Sequence, residues 1–239
     1  MRIKQAVVLC AGEGTRMLPD TADKPKCLLD VAGKVVIERI ATWCRGHGVQ
    51  QLFVNLHYKP EPVLDLFRTN RNFGMEAILL VEKRVKGTAG GITNFLDKLD
   101  EDFFVVYGDI LTNLDLKRLD AAHRGNYLTM TSHEVDNPSE CGVIVEGPGN
   151  TVGAFVEKPA PGQLDSRRVN AGVMAMSRSL ASTIARGGQP DIARDVVPFL
   201  VGGPFRAHHM PLLDSEWLID VGTRGNYERA CRIFSETNT

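Results

Sequence analysis

The sequence predicts an α/β fold: a mostly parallel, mixed sheet flanked by helices, with a smaller β-rich lobe built from the later part of the chain. Three observations carry this expectation. Apolar, β-branched runs alternate with helically spaced ones through the first half, the pattern of strands joined by crossover helices. After Leu128, strand-like runs follow one another with little helix between them. The chain also opens on Val7-Val8-Leu9, a buried-strand run that breaks at once into Ala11-Gly12-Glu13-Gly14.

Val7 to Leu9 is the first strand. Val36, Ile37, Ile40, Ala41, Trp43 and Cys44 recur at helical spacing after Gly33, which predicts a helix with Trp43 packed on the core. Gln51 to Leu56 reads as the second strand, Pro62 to Arg68 as a short helix and Ala77 to Val81 as the third strand. Ala89 to Lys98 reads as helix, Phe103 to Tyr107 as the fourth strand and Leu116 to His123 as helix. Four strands follow, over Leu128 to His133, Gly142 to Glu146, Val152 to Val156 and Val169 to Met176. Gly-Pro-Gly-Asn at 147–150 makes a hairpin between the middle two. Ser179 to Arg186 and Asp191 to Val201 are helical, Ala207 to Met210 and Trp217 to Val221 are short strands, and Gly225 to Phe234 closes the chain as a helix. No repeat, low-complexity tract or linker interrupts this order. The expectation is a single domain over residues 1–239, with halves of about 1–125 and about 126–239, the second half covering a cleft at the strand ends. No further domain is expected beyond the closing helix.

Composition removes several function classes. The 239 residues are 43% hydrophobic and 24% charged, ordinary for a globular protein. A net charge of -1 lacks the basic excess of a nucleic-acid binder. No apolar run approaches the roughly 20 residues of a membrane span, and the start of the chain has no signal-peptide pattern. Cys10, Cys27, Cys44, Cys141 and Cys231 are scattered and form no Cys-x-x-Cys pair, so a zinc or redox site is not expected. They read as reduced thiols in a cytoplasmic protein. Cys10 and Cys27 flank the glycine turn, which makes inhibition by thiol reagents a side expectation.

The turn after the first strand is the feature the remainder serves. Two glycines let the backbone bend and approach a ligand with no Cβ in the way. Successive N–H groups in such a turn make an anion site. Arg16 adds a planar cationic fork suited to phosphate, and Lys26 adds a point charge ten residues on. A lone Gly-x-Gly is a weak signal, and the dinucleotide fingerprint fails, because Met17 stands where its third small residue belongs. The Walker pattern fails too, since no Gly-Lys-Ser/Thr follows. What remains is a device for holding a polyphosphate.

Acids for a divalent cation should lie at strand ends. Asp109 ends Phe-Val-Val-Tyr-Gly-Asp; alone, it reads equally well as a turn or capping residue. Asp220 lies between Ile219 and Val221, where a charge is costly unless it is paired, with Arg16 or Lys158, or metal-bound. Lys86-Gly87-Thr88-Ala89-Gly90-Gly91 is a second glycine-rich turn opening a helix, and Glu157-Lys158-Pro159 ends a strand. His208 and His209 are adjacent and point to opposite faces of a strand, so they form no joint site. Asp195 reads as structural. No Ser/His/Asp or Cys/His nucleophile set is evident.

Leu-Cys-Ala-Gly-Glu-Gly-Thr-Arg-Met followed by Lys-Pro-Lys resembles the signature of the sugar-1-phosphate nucleotidyltransferases, the nucleoside-diphosphate-sugar pyrophosphorylases. The later segments extend the likeness over almost the full chain. It implies a Rossmann-like fold with a sugar-binding lobe, and the reaction of an NTP with a sugar 1-phosphate to give an NDP-sugar and pyrophosphate. It implies that Leu9, Ala11, Gly12, Glu13, Gly14, Thr15, Arg16, Lys26, Gly87, Thr88 and Ala89 bind the nucleotide, with Arg16, Lys26 and Asp109 catalytic. Asp109 and Asp220 would hold Mg²⁺, and Gly142, Glu157, Lys158, Asn170 and Gly172 would bind the sugar phosphate. Relatives usually carry an apolar residue where Lys86 stands, which leaves base selection open. The short form with Gly-Thr-Ala-Gly-Gly and Tyr-Gly-Asp is most similar to the guanylyltransferases for mannose 1-phosphate and D-glycero-D-manno-heptose 1-phosphate. N-acetylmuramate- and glucose-1-phosphate enzymes using UTP, CTP or dTTP share the skeleton, as would a catalytically silent sugar-nucleotide sensor. The expected partners are the two substrates, with no nucleic acid, no membrane, and a homo-oligomer left open.

Overall fold

A strand that is apolar on both sides belongs inside a sheet covered on both faces, and the first half of this chain is built of such strands. The structure is a computed structural model that describes residues 1–185, 191–201, 203 and 206–236. In chain order its elements are β1 (Gln5–Cys10), the short pair β2 (Asp30–Val31) and β3 (Lys34–Val35), α1 (Val36–Gly46), β4 (Gln51–Leu56), α2 (Glu61–Thr69) and β5 (Glu76–Val81). Then come α3 (Gly87–Thr93), β6 (Asp102–Tyr107), β7 (Ile110–Thr112), α4 (Leu116–His123), β8 (Leu128–Glu134), β9 (Gly142–Glu146), β10 (Val152–Glu157) and β11 (Arg168–Ser177). The chain ends with α5 (Arg178–Ile184), a wide-turned stretch over Ile192–Val196 leading into α6 (Val197–Val201), β12 (Ala207–Pro211), β13 (Leu218–Asp220) and α7 (Arg224–Glu236).

Among the described residues one nine-stranded sheet runs β10-β9-β11-β6-β1-β4-β5, with β8 paired to β11 and β12 paired to β8. β5, β4, β1 and β6 are mutually parallel. β11 joins β6 antiparallel and carries β8 and β9 on itself. The β-rich second half is therefore an extension of the same sheet. Side chains alternate across it as the pleat requires. Val7, Phe53, Phe103 and Val105 enter one apolar cluster, while Val8, Val54, Phe104 and Val106 enter the other. α1 covers the second cluster with Val36, Ile37, Ile40, Ala41 and Cys44, the spacing read from the sequence. Trp43 packs against the same cluster, and its indole N–H donates to Leu114 O at 3.0 Å.

Helix starts follow local chemistry. Asp115 caps α4 through Lys117 N at 2.9 Å, and Ser177 caps α5 through Leu180 N at 3.2 Å. The helix expected over Ala89 to Lys98 instead starts at Gly87 and ends at Thr93. The Asn94 side chain is engaged by Glu82 and by Lys86 Nζ. Beyond it, Phe95 N bonds Ile92 O at 3.0 Å and Lys98 N bonds Phe95 O at 2.9 Å, a tighter winding that buries Phe95 and Leu99. Arg186, the last residue of the expected helix from Ser179, lies outside the described residues. His209 is buried and meets Ser132 Oγ at 3.0 Å.

Phe104 is fully buried in β6, between parallel β1 and antiparallel β11. Phe104→Ala should lower the unfolding free energy by about 3–5 kcal/mol, visible as a lower urea midpoint at unchanged slope.

Candidate active site

The parallel strands all point their carboxyl ends the same way, so the loops after β1 and β6 open side by side. Gly108 N donates to Leu9 O at 2.9 Å, which stitches the two loops together at their roots. A Cβ on Gly108 would fall 2.6 Å from Leu9 O and 2.4 Å from Cys10 Sγ, so only glycine allows this approach. Asp109 follows directly. The turn after β1 winds through Gly14, whose φ of 69° is a left-handed value that glycine adopts without strain. Thr21 Oγ1 donates to Gly14 O at 2.9 Å and holds the turn against the chain that carries Lys26.

Asp220 arrives from the far end of the sequence. β13 pairs antiparallel with β7, placing Asp220 opposite Ile110, and Val221 N donates to Asp109 O at 2.9 Å. The carboxylates thus share one neighbourhood. Lys26 Nζ is ion-paired with Asp109 and lies 3.6 Å from Asp220 Oδ1. Gly222 N donates to Asp220 Oδ1 at 2.6 Å. A Cβ on Gly222 would meet Lys26 Nζ at 2.6 Å and Arg16 Nη2 at 3.3 Å, which shows how closely the two cations and the acid converge. Burial, then the Asp109 charge, push the Asp220 carboxyl above its ordinary pKa, against the pull of Lys26 and Arg16. The sequence offered Asp220 either as a metal ligand or as a charge in an apolar run paired with Arg16 or Lys158; its side chain keeps 43% of its surface, and its ion-pair partner among the described residues is Lys26.

A cleft of about 550 Å³ opens in front of these groups. It gathers Arg16, Thr88, Asp109, Gly142, Glu157, Lys158, Asn170, Gly172 and Asp220 on its walls. Lys26 is only 13% exposed and sits behind the two acids. Ala11 is buried, and Gly12, Glu13 and Thr15 are exposed along the rim turn. Ala89 is 1% exposed and packs into the core, so a ligand at Gly87-Thr88 would meet backbone there. Lys158 has φ 51°, a strained value for a residue with a side chain, and its Nζ lies 3.7 Å from Glu140. Burial, then the Asp191 charge, raise the Glu157 carboxyl above the usual range, with Lys158 and Arg194 pulling the other way. Asn170 Oδ1 accepts from Gly172 N at 3.1 Å, closing the irregular step in β11.

Several cleft residues carry no signal in the sequence. Asp191, Arg194, His133, Asn226 and Arg229 all line it, beside Tyr107 of the Tyr-Gly-Asp segment. Asp191 accepts from Thr88 Oγ1 at 2.9 Å, and Ile192 N donates to Thr88 Oγ1 at 2.7 Å, a clasp between the two halves of the chain. Asp195 Oδ2 accepts from Asp191 N at 2.6 Å and keeps the structural part expected of it. Cys10 and Cys27 are buried, and the Cys10 thiol is held above its ordinary pKa by its contact with Cys27 and by burial, which works against reaction with thiol reagents.

Among the described residues no group of three or more His, Cys, Asp or Glu side chains is placed to hold a metal ion. Asp109 and Asp220 are hard oxygen donors that already face one cation, the Lys26 ammonium. Mg²⁺ takes one or two carboxylates and completes its shell with phosphate oxygens and water. The pair fits such an ion on that basis. Among the described residues no helix is long and apolar enough to cross a membrane.

The chain also resembles known proteins. The nucleotidyl transferase family profile matches residues 5–235. A UTP–glucose-1-phosphate uridylyltransferase of Synechocystis is 32% identical, covering 95% of this chain and 62% of the relative. A mannose-1-phosphate guanylyltransferase of Mycobacterium tuberculosis is 29% identical, covering 94% of this chain and 62% of its own length. The chain thus spans about three-fifths of the length of these relatives. Among solved structures, HddC from Yersinia pseudotuberculosis superposes with a TM-score of 0.84 at 24% identity, covering 97% of this chain and 100% of HddC.

The raised Glu157 carboxyl gives a pH test. A folded-state pKa above the ordinary Glu value near 4.3 means that ionisation opposes folding at higher pH; once both states are protonated the effect is gone. Glu157→Gln should therefore raise the melting temperature near pH 7, with the gain vanishing by about pH 3 in a calorimetric series.

Proposed function

The chain belongs to the nucleotidyl transferase family, and on that premise we propose that it converts an NTP and a sugar 1-phosphate into an NDP-sugar and pyrophosphate. The observation that carries this reading is the meeting of Asp109, Asp220 and Arg16 on the wall of one cleft, with Lys26 behind the two acids. Nucleotidyl transfer asks for alignment and charge neutralisation rather than covalent chemistry. Arg16 offers a bidentate fork to the triphosphate, and the exposed Gly12 turn offers backbone N–H groups. Lys26 orients the Asp109 and Asp220 carboxylates and adds positive charge behind them. Mg²⁺, held by Asp109 and Asp220, would supply Lewis-acid polarisation of the α-phosphate. Lys158 holds the sugar phosphate, and Glu157 accepts from a sugar hydroxyl. An oxygen of the sugar phosphate attacks the α-phosphorus in line, and pyrophosphate leaves. The phosphate dianion is itself a nucleophile, so no side chain need act as a general base.

For the substrates we favour GTP with mannose 1-phosphate or D-glycero-D-manno-heptose 1-phosphate. The similarity to the M. tuberculosis mannose-1-phosphate guanylyltransferase supports the choice of GTP and of a manno-configured sugar. The Synechocystis uridylyltransferase supports a second reading with UTP and glucose 1-phosphate. A silent sensor is disfavoured because Arg16, Lys26, Asp109 and Asp220 are all in place. Five free cysteines suit a reducing compartment such as the cytoplasm.

Incubation of each common NTP with a panel of sugar 1-phosphates and Mg²⁺, read as pyrophosphate release, should single out one pair. Release with GTP and a manno-configured sugar is the expected result; no release with any pair would favour the sensor. Asp109→Asn should lower the rate roughly a thousandfold, and a near-normal rate would remove Asp109 from the metal site.

A further inference from the structure

We propose that Asn55 and Glu82 are positioning residues that lock the Gly12 turn to the Gly87 turn and so set the distance between the triphosphate and base ends of the nucleotide. The assignment of those two ends rests on the reading just given. Neither residue lines the cleft, and both are buried, at 2% and 4% exposure. Asn55 lies near the end of β4, beside β1 in the sheet, and Glu82 follows β5 directly. Cys10 N, the last amide before the Gly12 turn, donates to Asn55 Oδ1 at 2.9 Å. Asn55 Nδ2 donates to Glu82 Oε1 at 3.0 Å, and Asn94 Nδ2 donates to the same oxygen at 2.9 Å. Lys86 N, the last amide before Gly87, donates to Glu82 Oε2 at 3.2 Å. The relay thus runs from the root of one turn to the root of the other.

Two further contacts make the relay stiff. Glu82 N donates to Leu56 O at 2.7 Å, and its carbonyl oxygen meets His57 Nδ1 at 2.8 Å. α3 rests directly on the amide of Asn55, because a Cβ on Gly91 would come within 2.4 Å of Asn55 Nδ2. A buried carboxylate is expensive, and here its donors are amides. An apolar pair would fill the same space at lower cost but would carry no direction. The polar relay specifies a register between the two turns, with both carboxylate oxygens of Glu82 and both ends of the Asn55 amide engaged.

The test begins on the free protein. Glu82→Gln keeps shape but sets a side-chain NH₂ against a donor, either Lys86 N or the Asn55 amide. Hydrogen exchange should quicken in residues 10–16 and 86–90 together, while strands β6 and β11 stay protected. GTP binding by calorimetry should weaken about tenfold, the equivalent of one good hydrogen bond, with mannose 1-phosphate binding changed less than about twofold. Asn55→Asp opposes two carboxylates and should be worse. Combining it with Glu82→Gln restores a donor facing an acceptor and should recover most of the GTP affinity. Exchange that quickens in one turn only, or a double variant no better than N55D, would overturn the lock. Coupled exchange without GTP or UTP binding by the parent protein would leave the lock standing and overturn the nucleotide reading.

Discussion

Two carboxylates side by side repel one another, and the site of this protein depends on the backbone that forces them together. The ladder between β7 and β13 is short, yet it is continued by Val221 N bonding Asp109 O at 2.9 Å, so the main chains beside both acids are fixed. Lys26 offsets the repulsion from behind. Such an arrangement sets like charges together and is suited to drawing a divalent cation and its phosphates to one spot.

The sheet makes this possible by being covered on both faces. Its parallel strands spend their side chains on two cores, leaving only their carboxyl ends free to carry polar turns. β1 and β6 are neighbours in register, so the turn that follows one lies against the turn that follows the other. The small Gly108 lets them touch. On the other side of the cleft β11 joins β6 antiparallel and brings Asn170 and Gly172 to face the same space. One sheet therefore walls both sides of the pocket, and the Thr88–Asp191 clasp ties the edges across it.

Most of the elements were legible because local pattern and tertiary role coincide. Gln51–Leu56 and Leu116–His123 come out with the bounds read from their residues. α3 did not, since the engagement of Asn94 and the burial of Phe95 outweigh the helical propensity of the residues after Thr93. The site divides in the same way. Arg16, Asp109, Glu157 and Lys158 stand in motifs next to strand ends. Asp191 caps a helical stretch, and Arg194 and Arg229 lie on stretches whose sequence looks like any solvated face; only packing turns them toward the cleft.

By itself, the sequence determined the alternation of strands and helices, the glycine turn after β1 and the chemical types gathered around it, because these follow from side-chain periodicity and backbone freedom over a few residues. Tertiary structure alone decided that Lys26 backs the Asp109 and Asp220 carboxylates, that Asn55 and Glu82 join two turns, and that Ala89 faces the core. Those outcomes depend on contacts between residues dozens to more than a hundred positions apart. Their energy comes from burial and strand pairing summed over the whole sheet, which no local window contains.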